Sequence, residues 1–158
     1  MRFGTLILDT NLSVLLIVGV TGRDLIPDHK RLQAYDEIDF DILSAALRNS
    51  AGVRLSPNVL TETSNLVRQA PKHLHSSLMR TFGHFIDSWP EDYVPSRTAR
   101  VRPEFGRLGL ADAAILSMAG DKTTILTADF HLYQAALKAG LSCENFHHWK
   151  DHRPDYQL

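Results

Sequence analysis

Residues 5–20 read Thr5-Leu6-Ile7-Leu8-Asp9-Thr10-Asn11-Leu12-Ser13-Val14-Leu15-Leu16-Ile17-Val18-Gly19-Val20. The first four form a short apolar run ending at an acid, the pattern of a buried strand. The apolar stretch from Asn11 to Val20 reads as a helix covered on most sides. The same strand–acid–helix step recurs late in the chain, where the β-branched run Thr123 to Leu126 leads through Thr127 and Ala128 to Asp129 and a helix ended by Gly140. Between these two steps, Phe40, Leu43, Ala46 and Leu47 recur at helical spacing before Gly52, and Val53 to Leu55 has room only for a short strand. Ser56-Pro57 opens a helix with a capping residue and Pro at the first helical position. Residues 72–89 make an amphipathic helix, Pro90 and Pro95 bracket a loop with a minor strand at Val94, and Leu110 to Ala119 is an alanine-rich helix. Glu144 to His147 reads as an edge strand. Strands alternating with helices in this way predict an α/β fold, a parallel sheet sandwiched by helices.

The chain has 158 residues and 44% hydrophobic content, which suits one domain with a real core, here residues 1–158 with a tail from about residue 148. A single cysteine, Cys143, excludes an intrachain disulfide and a cysteine-based zinc cluster, and fits a reducing cytoplasm. The run from Leu6 to Val20 is too short to span a bilayer and is interrupted by Asp9, Asn11 and Ser13, so a soluble cytoplasmic protein is expected.

The net charge of −1 excludes strong steering of nucleic acid by the whole-protein field, so any such binding must be local. Residues 24–41 carry Asp24, Asp28, Asp36, Glu37, Asp39 and Asp41 against Lys30 and Arg31, which reads as a solvated acidic surface. Arg97, Arg100, Arg102 and Arg107, opposed only by Glu104, are candidate phosphate contacts, with Arg100 and Arg102 ranked first. His73 and His75 lie two apart on a helix and face different sides. His147, His148 and His152 read as ordinary C-terminal surface, with Trp149 and Tyr156 as anchors of the tail.

Four acids remain that small or apolar surroundings make costly to leave unpaired: Asp9, Glu62, Asp112 and Asp129. Asp9 and Asp129 each follow a strand, and Asp112 lies in the first turn of the helix leading to the Thr123 strand. Asn58, Glu62 and Asn65 share a polar stripe opposite an apolar one. In an open parallel α/β sheet, ligands bind beyond the carboxyl ends of the strands, where these acids can converge. Each acid alone has a plainer reading as a helix cap or a solvated charge. Together they are an oxygen-only donor set for a hard cation, Mg²⁺ or Mn²⁺. Thr127 projects toward the same crevice, because alternate strand residues share a face.

In their order and spacing, Asp9-Thr10-Asn11, Pro57-Asn58-Val59-Leu60-Thr61-Glu62, Leu110-Ala111-Asp112-Ala113-Ala114 and Leu126-Thr127-Ala128-Asp129 resemble the PIN-domain ribonucleases, which include VapC-like toxins of toxin–antitoxin pairs. The resemblance runs from the first strand to about Phe146. It implies a three-layer α/β/α fold with a central, mostly parallel sheet, and metal-dependent hydrolysis of single-stranded RNA. It also implies that Asp9, Glu62 and Asp112 are the principal acids, Asp129 the more variable fourth, and Asn11 and Thr127 the polar residues that orient them. A cognate antitoxin and a homodimer through residues 57–89 follow from the same likeness. The polar segment 21–38 departs from it. Asp9→Asn and Asp112→Asn are both expected to remove activity and leave the fold intact.

A haloacid-dehalogenase phosphatase needs a second acid where Asn11 stands, and a phosphoacceptor receiver domain needs a late Lys where Thr127-Ala128-Asp129 stands. The remaining alternative is an inactive RNA- or protein-binding module of the same fold. Retention of four acids speaks against it, because a negative pocket gains a polyanion binder nothing.

Overall fold

Thr5–Leu8 forms strand β1 in a computed structural model, which describes residues 3–153. Tyr156 lies outside the described residues. Strand β1 pairs in parallel with β2 (Thr123–Thr127), Leu8 lying opposite Leu126, and β2 pairs in parallel with β3 (Cys143–Asn145), Thr127 lying opposite Asn145. On the other side of β1, Leu6 bridges Val53 and Leu55 bridges Glu91, both in parallel. From edge to edge the sheet thus runs through Glu91, residues 53–55, β1, β2 and β3. Chain order reverses between β1 and β2, which makes their carboxyl ends the topological switch point where a ligand crevice is expected.

The connecting helices are α1 (Thr10–Thr21), α2 (Glu37–Arg48), α3 (Pro57–Val67), α4 (His75–Ser88), α5 (Ser96–Arg100), α6 (Phe105–Leu108), α7 (Leu110–Met118), α8 (Phe130–Lys138) and α9 (Phe146–Lys150). Strand alternation divides the core. Leu6 and Leu8 pack with Leu12, Leu15, Leu43, Leu78 and Phe82 on one face, whereas Ile7 and Ile125 pack with Ile115, Leu116, Leu132 and Ala136 on the other. The result is a three-layer α/β/α arrangement. Among the described residues, no helix is long and apolar enough to cross a membrane.

Three of the expected strands change. The strand at Val53 to Leu55 is reduced to two single bridges, and the minor strand expected at Val94 does not form. Glu91 makes that pairing instead, while Val94 is buried with Ala99, Ala113 and Ala114. The last strand begins one residue earlier, at Cys143, and stops at Asn145. There the Asn145 side chain accepts from the His147 N–H at 2.9 Å and starts α9, so His147 is helical.

The segment 21–38 is more ordered than its polarity suggests. Ile26, His29, Leu32 and Tyr35 each donate their N–H to the carbonyl three residues back, a chain of turns that buries Ile26, His29 and Leu32. The His29 ring sits between the Val67 carbonyl, 3.1 Å from Nε2, and the Arg31 N–H, which donates to Nδ1 at 3.1 Å.

The acidic run is not simply solvated, and the C-terminal stretch is not a free tail. Asp36 and Asp39 form a capping box at the start of α2, each side chain accepting from the other's N–H. Arg153 then donates to Asp36 and Asp39 at 2.8–2.9 Å, and Lys150 lies 3.3 Å from Asp39. Two acids meeting two cations hold residues 146–153 against the domain, with Trp149 packed against Phe3 and Phe146.

Candidate functional site

Asp9 ends β1 and caps α1. Its Oδ1 accepts from Leu12 N–H at 2.8 Å, while Oδ2 accepts from the Thr127 hydroxyl at 2.5 Å and from Ala128 N–H at 2.8 Å. One carboxylate therefore ties the carboxyl ends of β1 and β2 together at the switch point. Burial pushes this carboxyl above its ordinary range, against the lowering effect of its hydrogen bonds to Thr127, Leu12 and Ala128. Thr127 also accepts from the Asp129 N–H at 2.9 Å, and Asp129 in turn caps α8 by accepting from His131 and Leu132 N–H groups.

Glu62 reaches the same place from α3, where the Thr10 hydroxyl donates to its Oε2 at 2.9 Å. Asp112 lies in the first turn of α7 but does not cap it; Gly109, at φ +88, occupies the cap position and makes no side-chain bond there. That φ lies in a region that L side chains rarely adopt, so glycine favours the sharp entry to the helix that carries Asp112. The Asp112 carboxyl is pushed up to about 7, first by burial and then by the charges of Asp9, Asp129 and Glu62. The four acids thus share one electrostatic neighbourhood.

The free lone pairs bear on what this neighbourhood could hold. Asp9 Oδ2 already accepts two bonds, which leaves Oδ1 as the atom with capacity to spare. Among the described residues, Asp112 makes no side-chain hydrogen bond, and neither Glu62 Oε1 nor Asp129 Oδ2 makes one. No three acidic, histidine or cysteine groups among those residues form a ready-made cage for an ion. A donor set of spaced carboxylates with spare oxygens fits a hydrated hard cation, which keeps several waters and takes only one or two protein ligands.

Two neighbours were not read as site residues from sequence. Thr10, and not Asn11, bonds an acid; Asn11 is exposed and makes no hydrogen bond to the four acids among the described residues. Tyr35 comes from the segment 21–38, and its hydroxyl is raised in pKa by burial and by the charges of Asp9 and Asp39. Its ring lies under Lys150, 4.9 Å away, and against Phe146. The spacing Ile26, His29, Leu32, Tyr35 is the available signal, since a period of three marks successive tight turns. Cys143 is raised to about 12 by burial, then by Glu144 and Asp9, which leaves it an inert thiol near neutral pH.

The arginines separate. Arg102 is committed to Glu104 through two bonds of 3.1 and 3.3 Å. Arg100 is exposed and lies over the Phe105 ring at 5.9 Å, and Arg97 and Arg107 are exposed as well. Of the four candidate phosphate contacts, Arg102 is thus the one already held in an ion pair among the described residues.

No protein-family profile and no curated protein matches the sequence. Among solved structures, a domain of a functionally unknown protein from Methanocaldococcus jannaschii DSM 2661 is similar over 90% of this chain and 90% of its own, at 15% identity and a TM-score of 0.49.

Proposed function

We propose that this protein is a divalent-metal-dependent endoribonuclease that hydrolyses single-stranded RNA, with Mg²⁺ or Mn²⁺ held directly by Asp9 and Asp112 and, through water, by Glu62 and Asp129. What supports the reading is Asp9, which spans the carboxyl ends of β1 and β2 at the sheet's switch point, with Asp112 raised first by burial and then by the charges of Asp9, Asp129 and Glu62. So much negative charge in one crevice repels RNA unless a cation intervenes. The ion, when bound, supplies charge neutralisation and acidifies water enough for attack at neutral pH.

The chain's own residues have distinct parts to play. Leu12, Thr127 and Ala128 hold Asp9 in one orientation, and Thr10 holds one oxygen of Glu62. Asp112, which makes no side-chain hydrogen bond among the described residues, would offer both its oxygens to the cation. Hydrolysis by water leaves a 5′-phosphate and a 3′-hydroxyl, with no call on the ribose 2′-hydroxyl as nucleophile. Arg97, Arg100 and Arg107 are the cations for flanking phosphates. The resemblance to VapC-like toxins adds an antitoxin partner and a cytoplasmic setting to this proposal.

The test is incubation of purified protein with a mixed-sequence single-stranded RNA and Mg²⁺ or Mn²⁺. Cleavage to 5′-phosphorylated products that stops in excess chelator is expected. Cleavage undiminished by chelator, or none with either metal, overturns the assignment.

A further inference from the structure

Phe130 stands directly after Asp129, at the first position of α8, and is 55% exposed. It belongs to none of the three core clusters, and the buried stripe of its helix, Leu132, Ala135 and Ala136, lies on the opposite side. Its backbone is nevertheless held firmly. The Asp129 cap bonds fix the first turn of α8, and Thr127 fixes Asp129. Cα–Cβ bonds tilt toward a helix N-terminus, and this one follows Asp129 just beyond the carboxyl end of β2, so the Phe130 Cβ is directed toward that edge of the sheet. His131 meets it edge-on, with ring centroids 6.1 Å apart.

We propose that Phe130 is a stacking platform for an unpaired nucleobase next to the scissile phosphate. The inference rests on the ribonuclease reading above and adds to it how a strand is gripped. A flat aromatic face at the edge of an acidic site offers what carboxylates cannot, an attraction for the base that carries no charge. Every base has a π-face, so this grip tolerates any sequence and demands only that the base be unstacked. It therefore selects single strands over duplexes.

Leu137 supplies the control. It is 48% exposed on the same outward side of α8 but two turns along, about 10 Å farther from the crevice. A docking face for a second copy of the chain would use both residues, whereas a base platform uses Phe130 alone.

The experiment measures affinity for a labelled single-stranded RNA decamer, and for the same strand with abasic central positions, in an Asp112→Asn background that prevents cleavage. Phe130→Ala is expected to weaken binding of the normal strand about tenfold. Phe130→Trp should retain affinity, Leu137→Ala should leave it unchanged, and the abasic strand should bind the parent no better than the normal strand binds Phe130→Ala. Equal affinity of Phe130→Ala and its parent overturns the inference, as does an abasic strand bound as tightly as the normal one. Equal losses in Phe130→Ala and Leu137→Ala, with a change of oligomeric state, overturn it in favour of a self-association face. Wild-type protein that cuts RNA while Phe130→Ala binds normally removes this inference alone; wild-type protein that cuts no RNA removes the parent reading.

Discussion

Asp9→Asn and Asp112→Asn are each expected to lower RNA cleavage by at least about a hundredfold to a thousandfold, and to shift stability in opposite directions. At Asp9 the two oxygens accept from three donors, and an amide has only one accepting oxygen. Whichever way the Asn is turned, its NH₂ group faces either Leu12 N–H or Ala128 N–H. A buried donor left unpaired costs about 1–3 kcal/mol, so Asp9→Asn should melt several degrees below wild type. The symmetry expected from sequence between these two substitutions is therefore lost.

Asp112 has no hydrogen bond of this kind to lose among the described residues. Its carboxyl titrates near 7 in the fold against an ordinary value of 3.8, so between those pH values the folded state keeps a proton that the unfolded state has released. Metal-free stability must then fall as pH rises from about 4 to about 7, and Asp9, raised by burial, contributes with the same sign. Allowing for partial solvation of Asp112, the loss is on the order of 2 kcal/mol. Asp112→Asn removes it. Without metal at pH 7.5 that variant should melt about 4–8 °C above wild type, and its melting temperature should fall less between pH 5 and 7. Thermal scans in chelator check both statements; an Asp112→Asn protein melting well below wild type would assign Asp112 a structural role.

Arg153→Ala is expected to cost about 3–5 kcal/mol, because removing one partner of a buried ion pair strands the other. Asp39 is 1% exposed and would keep only Lys150 as a cation among the described residues. Asp36 is more exposed; burial works to raise its carboxyl, but the Arg153 bonds hold it below the ordinary range. Loss of this contact also frees the stretch that places Lys150 over Tyr35, next to the acids. Urea unfolding should show a lower midpoint at unchanged slope. An Arg153→Ala midpoint equal to wild type would mean that the C-terminal contact does not stabilise the domain.

What was legible in the sequence was local. Leu6-Ile7-Leu8 and Ile125-Leu126-Thr127 carry their strand identity in β-branched and apolar runs, and each is soon followed by an Asp, Asp9 or Asp129, whose short polar side chain fits a cap, so the strand–helix steps can be read without tertiary information. The placing of Asp9 and Asp129 at one edge of the sheet was legible for the same reason, since strand ends in a parallel sheet share that edge. Two things were hidden. Asp36 and Asp39 look like solvated charges because their partners, Lys150 and Arg153, lie more than a hundred residues away. Thr10 and Asn11 are adjacent and both can donate a hydrogen bond, and only the direction in which the first turn of α1 faces α3 gives the Glu62 bond to Thr10.

Mn²⁺ titration followed by calorimetry, on wild type and on Asp112→Asn at matched ionic strength, tests the carboxylate centre most directly. Saturable binding is predicted for wild type, weakened at least about tenfold in Asp112→Asn. The wild-type melting temperature should rise with it, by a stabilisation of about 2.7 kcal/mol at a hundredfold excess over Kd. Wild-type protein that shows no saturable Mn²⁺ binding at millimolar concentrations, or Asp112→Asn protein that binds as tightly as wild type, would contradict the four-carboxylate metal site.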